Sequence, residues 1–302
     1  MAAQPKQRTD TGSVLGDRMV DGVVRGLTWL LMRLPYGLRV RLMGGFMARV
    51  VAPLAGYDKR IRDNLAYVCP NLPEDEVKKL TRSVPDNIGR LVMELFSTDE
   101  FLQRYANDPL QGEGVDALEE AHAAGRPVVL VTAHFGNFNV IRAALKGRGI
   151  ELGSLYNPLK NKYFNDRYIA RMSQIGAPMF PRGRSGYARM LKHLKAGNKI
   201  GILIDQHMEH GELLDFFGKP APTALSAAEM ALKYDALIMP IYGIRRPDGL
   251  NFDIVAEAPI PHTNAREMTQ ALNDSLEARV RENMDQWFWI HRRWKPERRL
   301  SS

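Results

Sequence analysis

The chain has 302 residues, 45% apolar and 25% charged, which are the proportions of a globular protein with ample material for a core. Forty-two Lys and Arg against 34 Asp and Glu leave a net charge of +8, a balance that favours an anionic partner such as nucleic acid, anionic lipid or an acidic carrier protein. A single cysteine, Cys69, excludes an intramolecular disulfide framework and a thiolate metal cluster, and fits a reducing compartment.

The first dozen residues are polar and carry no secretory signal pattern, so residues 1–18 are expected to form a disordered tail. From Met19 to Leu34, Val20, Val23, Val24, Leu27, Leu30, Leu31 and Leu34 recur at helical spacing, and Pro35 ends the run. A second apolar pattern follows at Leu38, Leu42, Met43, Phe46, Met47, Val50, Val51 and Leu54, accompanied by Arg39, Arg41 and Arg49. Residues 19–56 therefore read as two basic amphipathic helices able to lie at a membrane surface; two ordinary packed helices are the alternative. No uncharged apolar run reaches the roughly 18 residues that a transmembrane span needs.

Residues 57–96 read as helical, with a helix start at Asn71-Leu72-Pro73-Glu74-Asp75-Glu76 and an interruption at Pro85. A short helix over Val115–Ala124 turns through Gly125-Arg126-Pro127 into the buried run Val128-Val129-Leu130-Val131. Helix and strand then alternate: helix from Asn137, strand to Tyr156, helix from Lys162, a short extended Pro178-Met179-Phe180, helix to Lys195, and the buried strand Lys199–Asp205. A helix over Thr223–Tyr234, strands at Leu237–Tyr242 and Phe252–Ala256 joined by an Arg246-Pro247-Asp248-Gly249 turn, and a long helix over Glu267–Asn283 complete the pattern. Such alternation predicts an α/β fold: a largely parallel central sheet flanked by helices, forming a single domain over residues 57–302, with the N-terminal amphipathic helices as an extension.

The stretch Val128-Val129-Leu130-Val131-Thr132-Ala133-His134-Phe135-Gly136-Asn137-Phe138-Asn139 organises the chain, because a buried strand ends there in a histidine. A strand end fixes the backbone and leaves the side chain open, and imidazole titrates near neutral pH, so His134 is the candidate general base. Asn139, five residues on, would lie in the first turn of the next helix and point back at the imidazole to orient it. Tyr156, Arg182 and Asp205 follow the next three strands, so the sheet should bring them to His134, together with Gln206. Arginines at a helix start suit phosphate or carboxylate.

Other patterns are weaker. Asp205, His207, Glu209 and His210 match no strong metal signature, and no nucleophile elbow, P-loop or dinucleotide fingerprint occurs. The stretch Trp287-Phe288-Trp289-Ile290-His291-Arg292-Arg293-Trp294-Lys295, continuing to Arg299, mixes aromatics with cations. It could stack on single-stranded nucleic acid, sit at a membrane interface, or be a buried Trp core followed by a basic tail; the amphipathic N-terminus favours lipid over nucleic acid.

His134-Phe135-Gly136-Asn137-Phe138 with a partner at 139, Tyr156-Asn157-Pro158 with Asn161, Asp205-Gln206-His207, and Trp289-Ile290-His291-Arg292-Arg293-Trp294-Lys295, in this order, resemble the lipid A lauroyl/myristoyl acyltransferase family. The resemblance runs from about Val51 to Pro296. It implies an enzyme of the bacterial inner membrane, at the cytoplasmic face, that moves a fatty acyl group from acyl carrier protein or coenzyme A to a lipid hydroxyl without metal or cofactor. The family's usual acceptor is a lipid A precursor. The resemblance makes His134 the base and residue 139 its orienter, and gives oxyanion or phosphate contacts to Arg171 and Arg182. Arg184, Asn137, Tyr156, Asp205 and Gln206 complete the expected substrate-binding set. The departure is Asn139, where the family has Asp or Glu. Loss of that charge implies an impaired, inactivated chain whose activity Asn139→Asp would restore. A lyso-aminolipid or lysophospholipid acceptor is the close alternative, and a non-catalytic lipid-binding protein on the same scaffold is the reading from another class.

Overall fold

The computed structural model describes residues 14–159 and 161–294. Most of the expected tail, up to Ser13, and the basic residues from Lys295 onward lie outside the described residues. Helix α1 (Val14–Leu31) stops short of Pro35, and α2 (Tyr36–Phe46) begins directly after it, where the fixed φ of proline suits a helix entry. A π-helical turn over Met47–Val51 joins α2 without a break to α3 (Ala52–Leu54). Helix α4 (Tyr57–Val68) follows, then α5 (Glu74–Phe96), whose first turn places Glu74, Asp75 and Glu76 at the positive end of the helix dipole. The interruption expected at Pro85 is absent: α5 runs through it for 23 residues. Leu80, Val84, Pro85 and Met93 are buried along α5, and this tertiary packing outweighs the one intrahelical bond that proline cannot donate.

After α6 (Thr98–Tyr105), β1 (Leu110–Gln111) and α7 (Val115–Ala123), the chain enters β2 (Val128–Thr132). Helix α8 (Phe138–Gly147), β3 (Leu152–Tyr156), α9 (Lys162–Ile175), β4 (Met179–Pro181), α10 (Arg184–Lys195) and β5 (Lys199–Leu203) follow in alternation. A hairpin comes next, β6 (Glu212–Phe216) and β7 (Lys219–Thr223), and then α11 (Ser226–Tyr234), β8 (Leu237–Arg245), β9 (Phe252–Ala256) and α12 (Ala265–Glu282). The main sheet has seven strands in the order β1-β9-β8-β2-β5-β3-β4, and only the β8–β9 pair is antiparallel. The β6–β7 hairpin forms a separate two-stranded sheet that the sequence reading did not anticipate. Its turn uses Phe217 and Gly218, both at positive φ, rather than an Asn-Gly or Asp-Gly signal. Thr223 closes that hairpin, so the helix expected from Thr223 starts at Ser226.

Strand β2 is buried on both faces, which explains its unbroken apolar run. Val128 and Leu130 pack with Val140, Ile141 and Leu145 of α8, whereas Val129 and Val131 pack with Met190 and Leu194 of α10 and Ala227 and Ala231 of α11. A third apolar cluster joins Ile61, Leu65 and Val84 of the N-terminal helices to Phe216, Phe217, Trp287, Trp289 and Trp294. Among the described residues no helix is long and apolar enough to cross a membrane.

Candidate active site

Strands β2 and β5 are parallel neighbours with Thr132 opposite Leu203. Two residues further along each strand, His134 and Asp205 lie side by side. The His134 main-chain N–H donates to Asp205 Oδ2 at 2.9 Å, and Nδ1 of the ring lies 2.9 Å from Asp205 Oδ1. Trp287 Nε1–H donates to the same Oδ2 at 3.1 Å. His207 N–H donates to His291 Nε2 at 2.9 Å, so the C-terminal stretch also ties down the loop that carries Asp205.

The Asp205 side chain is buried. Burial alone would raise its pKa, but the facing imidazole and the hydrogen bonds it receives hold it below the ordinary carboxylate value. An ionised carboxylate only accepts, so Nδ1 carries the proton and Nε2 presents its lone pair. Burial opposes charge on His134, and Asp205 overcomes that effect, leaving the imidazole pKa raised. The rings of Phe138 and Phe288 flank the imidazole at 5.9 and 5.7 Å between centroids.

Asn139 does not reach this imidazole. It lies in the first turn of α8, almost fully buried, and neither its amide oxygen nor its amide nitrogen has a hydrogen-bond partner. Gly136, at φ +51°, turns the chain between the two residues, so His134 is left at the strand end while Asn139 points into the protein interior. The group that holds Nδ1 is Asp205, expected in the substrate-binding set.

The turn itself is held from below. A Cβ on Gly136 would lie 2.0 Å from the Gly243 carbonyl oxygen, so only glycine fits there. Gly136 N–H donates to Gln286 O at 2.9 Å and Asn137 N–H to Gly243 O at 3.0 Å. Asn137 caps α8 by accepting from Asn139 N–H at 2.9 Å, and its amide donates to Glu94 Oε2 at 2.7 Å. Glu94 is fully buried and pairs with Arg245, whose Nη2 reaches Oε2 at 2.8 Å and whose Nε donates to Asn87 Oδ1 at 2.7 Å. Asn137, expected among the substrate contacts, is buried in the cap of α8 and does not line the cavity described below. Glu94 and Arg245 escaped the sequence reading, although a lone carboxylate inside the apolar run Leu91-Val92-Met93-Glu94-Leu95-Phe96 signals a buried partner.

Beside His134 opens a cavity of about 270 Å³. Its polar lining includes Tyr156, Asn157, Arg182 and Gln206, and its apolar lining includes Leu155, Met190, Ile204 and Met230. Gln206 Nε2 comes to 3.5 Å from His134 Nε2. His134, Tyr156, Arg182 and Asp205 converge as strand order demands, with Gln206 among them. Of the three arginines expected in the substrate-binding set, Arg171, Arg182 and Arg184, only Arg182 lines this cavity. Arg171, on α9, bonds to Gln174 at 3.2 Å and lines a separate recess with Arg25 and Trp29. Arg184 is exposed in the first turn of α10, outside the cavity lining. Among the described residues no group of His, Cys, Asp and Glu is arranged to hold a metal.

The aromatic stretch is core up to Trp294. Trp287, Trp289 and Trp294 are buried, and they pack on one another and on Phe216. Arg293 is buried with them and donates to the Thr223 hydroxyl and the Pro222 carbonyl. Ring faces used in this way cannot stack on bases, so the nucleic-acid reading of these residues falls.

A sequence model of the family described as bacterial lipid A biosynthesis acyltransferase matches residues 15–296. The chain is 20% identical over 274 residues to a lipid A biosynthesis acyltransferase of Haemophilus influenzae, covering 89% of this chain and 86% of that protein. It is 23% identical to the lipid A biosynthesis lauroyltransferase of Escherichia coli, over 89% of each chain. It is also 23% identical to a phosphatidylinositol mannoside acyltransferase of Mycobacterium tuberculosis, over 88% of this chain and 86% of that protein. With its buried strand, its histidine turn and nearly its whole length inside the match, the chain belongs to the bacterial lipid A biosynthesis acyltransferase family and is an acyltransferase.

Proposed function

We propose that this enzyme transfers a fatty acyl chain from an acyl thioester, carried by acyl carrier protein or coenzyme A, to a hydroxyl of a membrane lipid of the lipid A precursor type. It works at the cytoplasmic face of the bacterial inner membrane, attached peripherally. The observation that carries this reading is an imidazole held through Nδ1 by a buried carboxylate, with Nε2 beside a largely apolar cavity.

His134 Nε2 accepts the proton of the acceptor hydroxyl as its oxygen attacks the thioester carbonyl. Asp205 stabilises the imidazolium that forms. Gln206 and Arg182 are the cavity donors suited to the oxyanion of the tetrahedral intermediate. Collapse breaks the carbon–sulfur bond, and the departing thiolate takes the proton back from Nε2. The products are an ester and a free thiol, and His134 is restored. The hydrocarbon tail of the acyl group occupies the apolar lining formed by Leu155, Met190, Ile204 and Met230. With Asp205 as orienter, the reaction does not require an acid at 139, and the unaltered chain is competent.

The test is transfer from labelled lauroyl, myristoyl and palmitoyl donors to a pooled lipid extract in detergent, read by mass spectrometry. The unaltered protein is expected to form one new ester, and His134→Ala to lose about 10²–10⁴-fold in rate. An ester on a lipid A precursor supports the stated acceptor, and one on a lyso-aminolipid or lysophospholipid replaces it. Donor binding with no ester from any donor would leave a lipid-binding role and overturn the proposal.

A further inference from the structure

The continuous helix from Tyr36 to Leu54 carries a row of large apolar side chains on its solvent side. Leu38, Leu42, Phe46, Val50 and Leu54 are all exposed, between 40% and 85%, at strict four-residue intervals. Arg41 and Arg49, also exposed, repeat beside them, while Val40, Gly44 and Ala52 are buried on the opposite side. At 3.6 residues per turn, each four-residue step overshoots a full turn by about 40°, and four steps would carry Leu54 about 160° round the axis. The π-helical turn over Met47–Val51 removes much of this drift, because its i→i+5 bonds close a wider turn and each residue advances by a smaller angle. The five side chains therefore stay on one side of the helix. The other side is fixed against α5, where Gly44 and Gly89 approach so closely that a Cβ on Gly89 would lie 2.5 Å from the Met43 carbonyl oxygen.

Large apolar groups held in solvent need an apolar partner. The charge around them selects its kind. Between Asp21 and Asp58 the chain has five arginines and no carboxylate. On the flank of the row, Arg49 and Arg82 line a groove of about 1210 Å³ in which Lys78, Lys79 and Arg90 also take part, along with Asp58, Asp75 and Asp86. At the end of α1, Trp29 and Leu30 are exposed as well, and Arg33 lies over the Trp29 ring at 4.2 Å.

We propose that Leu38, Leu42, Phe46, Val50 and Leu54 form one continuous edge, kept in line by the π-helical turn, that inserts into the acyl boundary of a bilayer carrying anionic phospholipid. Arg41 and Arg49 rest on its phosphates. The inference rests on the reading that the enzyme works at a membrane, and it names the face and the lipid charge involved.

The experiment is flotation of the full chain with vesicles of phosphatidylcholine alone or with a minority of phosphatidylglycerol. The parent is expected to bind the anionic vesicles about tenfold more tightly than the neutral ones. Leu42→Glu and Leu54→Glu, on either side of the π-helical turn, should each reduce binding about tenfold or more. Leu213→Glu, at an exposed leucine on β6, should leave binding unchanged. A fluorophore placed at residue 46 and quenched by bromines on the lipid chains reports insertion without adding a charge. Row variants that bind like Leu213→Glu, or a parent that ignores anionic vesicles, would overturn the proposal. A loss from Leu42→Glu with none from Leu54→Glu would overturn the continuity that the π-helical turn is argued to provide. Acyl transfer in detergent micelles is measured beside it. Row variants should retain it, whereas a parent without transfer indicts the catalytic reading and leaves the binding result to stand by itself.

Discussion

Around His134 the chain buries charge. Glu94, Arg245 and Asp205 are shielded from solvent, and each is matched to a partner at hydrogen-bond distance. Along Tyr36–Leu54 it does the reverse, leaving five large apolar side chains in solvent while arginines stand beside them. Both regions depart from the usual sorting of polar and apolar groups, and both incur a free-energy cost in the isolated, water-exposed protein. The buried region is offset internally, by ion pairing and hydrogen bonds, so its geometry is set before any substrate arrives. The exposed region is offset only by a partner. A turn that must hold an imidazole to within fractions of an ångström needs the first arrangement. A surface that must meet a fluid bilayer needs the second.

The largest break in this comparison comes from Asp205→Asn. An amide at 205 can accept from Nδ1–H but does not stabilise the imidazolium, so turnover should fall by roughly 10³–10⁴-fold, by analogy with the serine protease triad. The pH profile tells a lost base partner from a folding defect. Because Asp205 raises the His134 pKa, the active, unprotonated imidazole of the parent accumulates only above the ordinary value of about 6.5, and its acid limb lies on that side. In Asp205→Asn the limb should move down in pH, even as the plateau drops. An unchanged limb would remove Asp205 from the mechanism.

A smaller effect, expressed in stability rather than chemistry, is expected at Glu94. Glu94→Gln leaves Arg245 charged and buried, and breaking a buried pair in this way costs about 3–5 kcal/mol. Denaturant titration should show a lower midpoint at constant slope. Transfer by the folded fraction should fall as well, because the Asn137 amide loses its charged acceptor beside the His134 turn. The exposed row should respond differently: its charge substitutions leave the denaturation midpoint almost unmoved and change only vesicle binding.

The smallest effect sharpens the assignment of Asn139. Both polar atoms of its amide are buried without partners, so Asn139→Leu should raise stability by about 1 kcal/mol with transfer close to the parent rate. Asn139→Asp should not raise the rate and should lower the melting temperature, since it buries an unpaired carboxylate. A large gain in turnover from Asn139→Asp would return the orienting role to residue 139.

Much of the fold was legible because it is written in local pattern. The apolar run of β2, the helix and strand periods that follow it, and the proline and acids opening α5 each depend on neighbours a few residues away. His134, Tyr156, Arg182 and Gln206 could be gathered by strand order alone, since strand ends in an open sheet share one crevice. What could not be read locally is who faces whom. Asn139 is five residues from His134 yet points away, because Gly136 redirects the chain; Asp205 is 71 residues away yet lies 2.9 Å from the ring, because β2 and β5 pair in parallel register. The same holds for Pro85, tolerated inside α5 by packing, and for Trp287, Trp289 and Trp294, whose aromatic and basic neighbours resemble a binding tail until the structure closes them on one another. By itself the sequence determined the elements, their order and the chemistry available at each strand end, since these follow from short-range spacing and residue type. Only the tertiary structure decided which carboxylate holds the imidazole, which arginine reaches the cavity and which apolar row stays in solvent. Those outcomes depend on sheet register, a left-handed glycine and the packing of one helix face against α5, which are set by contacts between residues far apart in the chain.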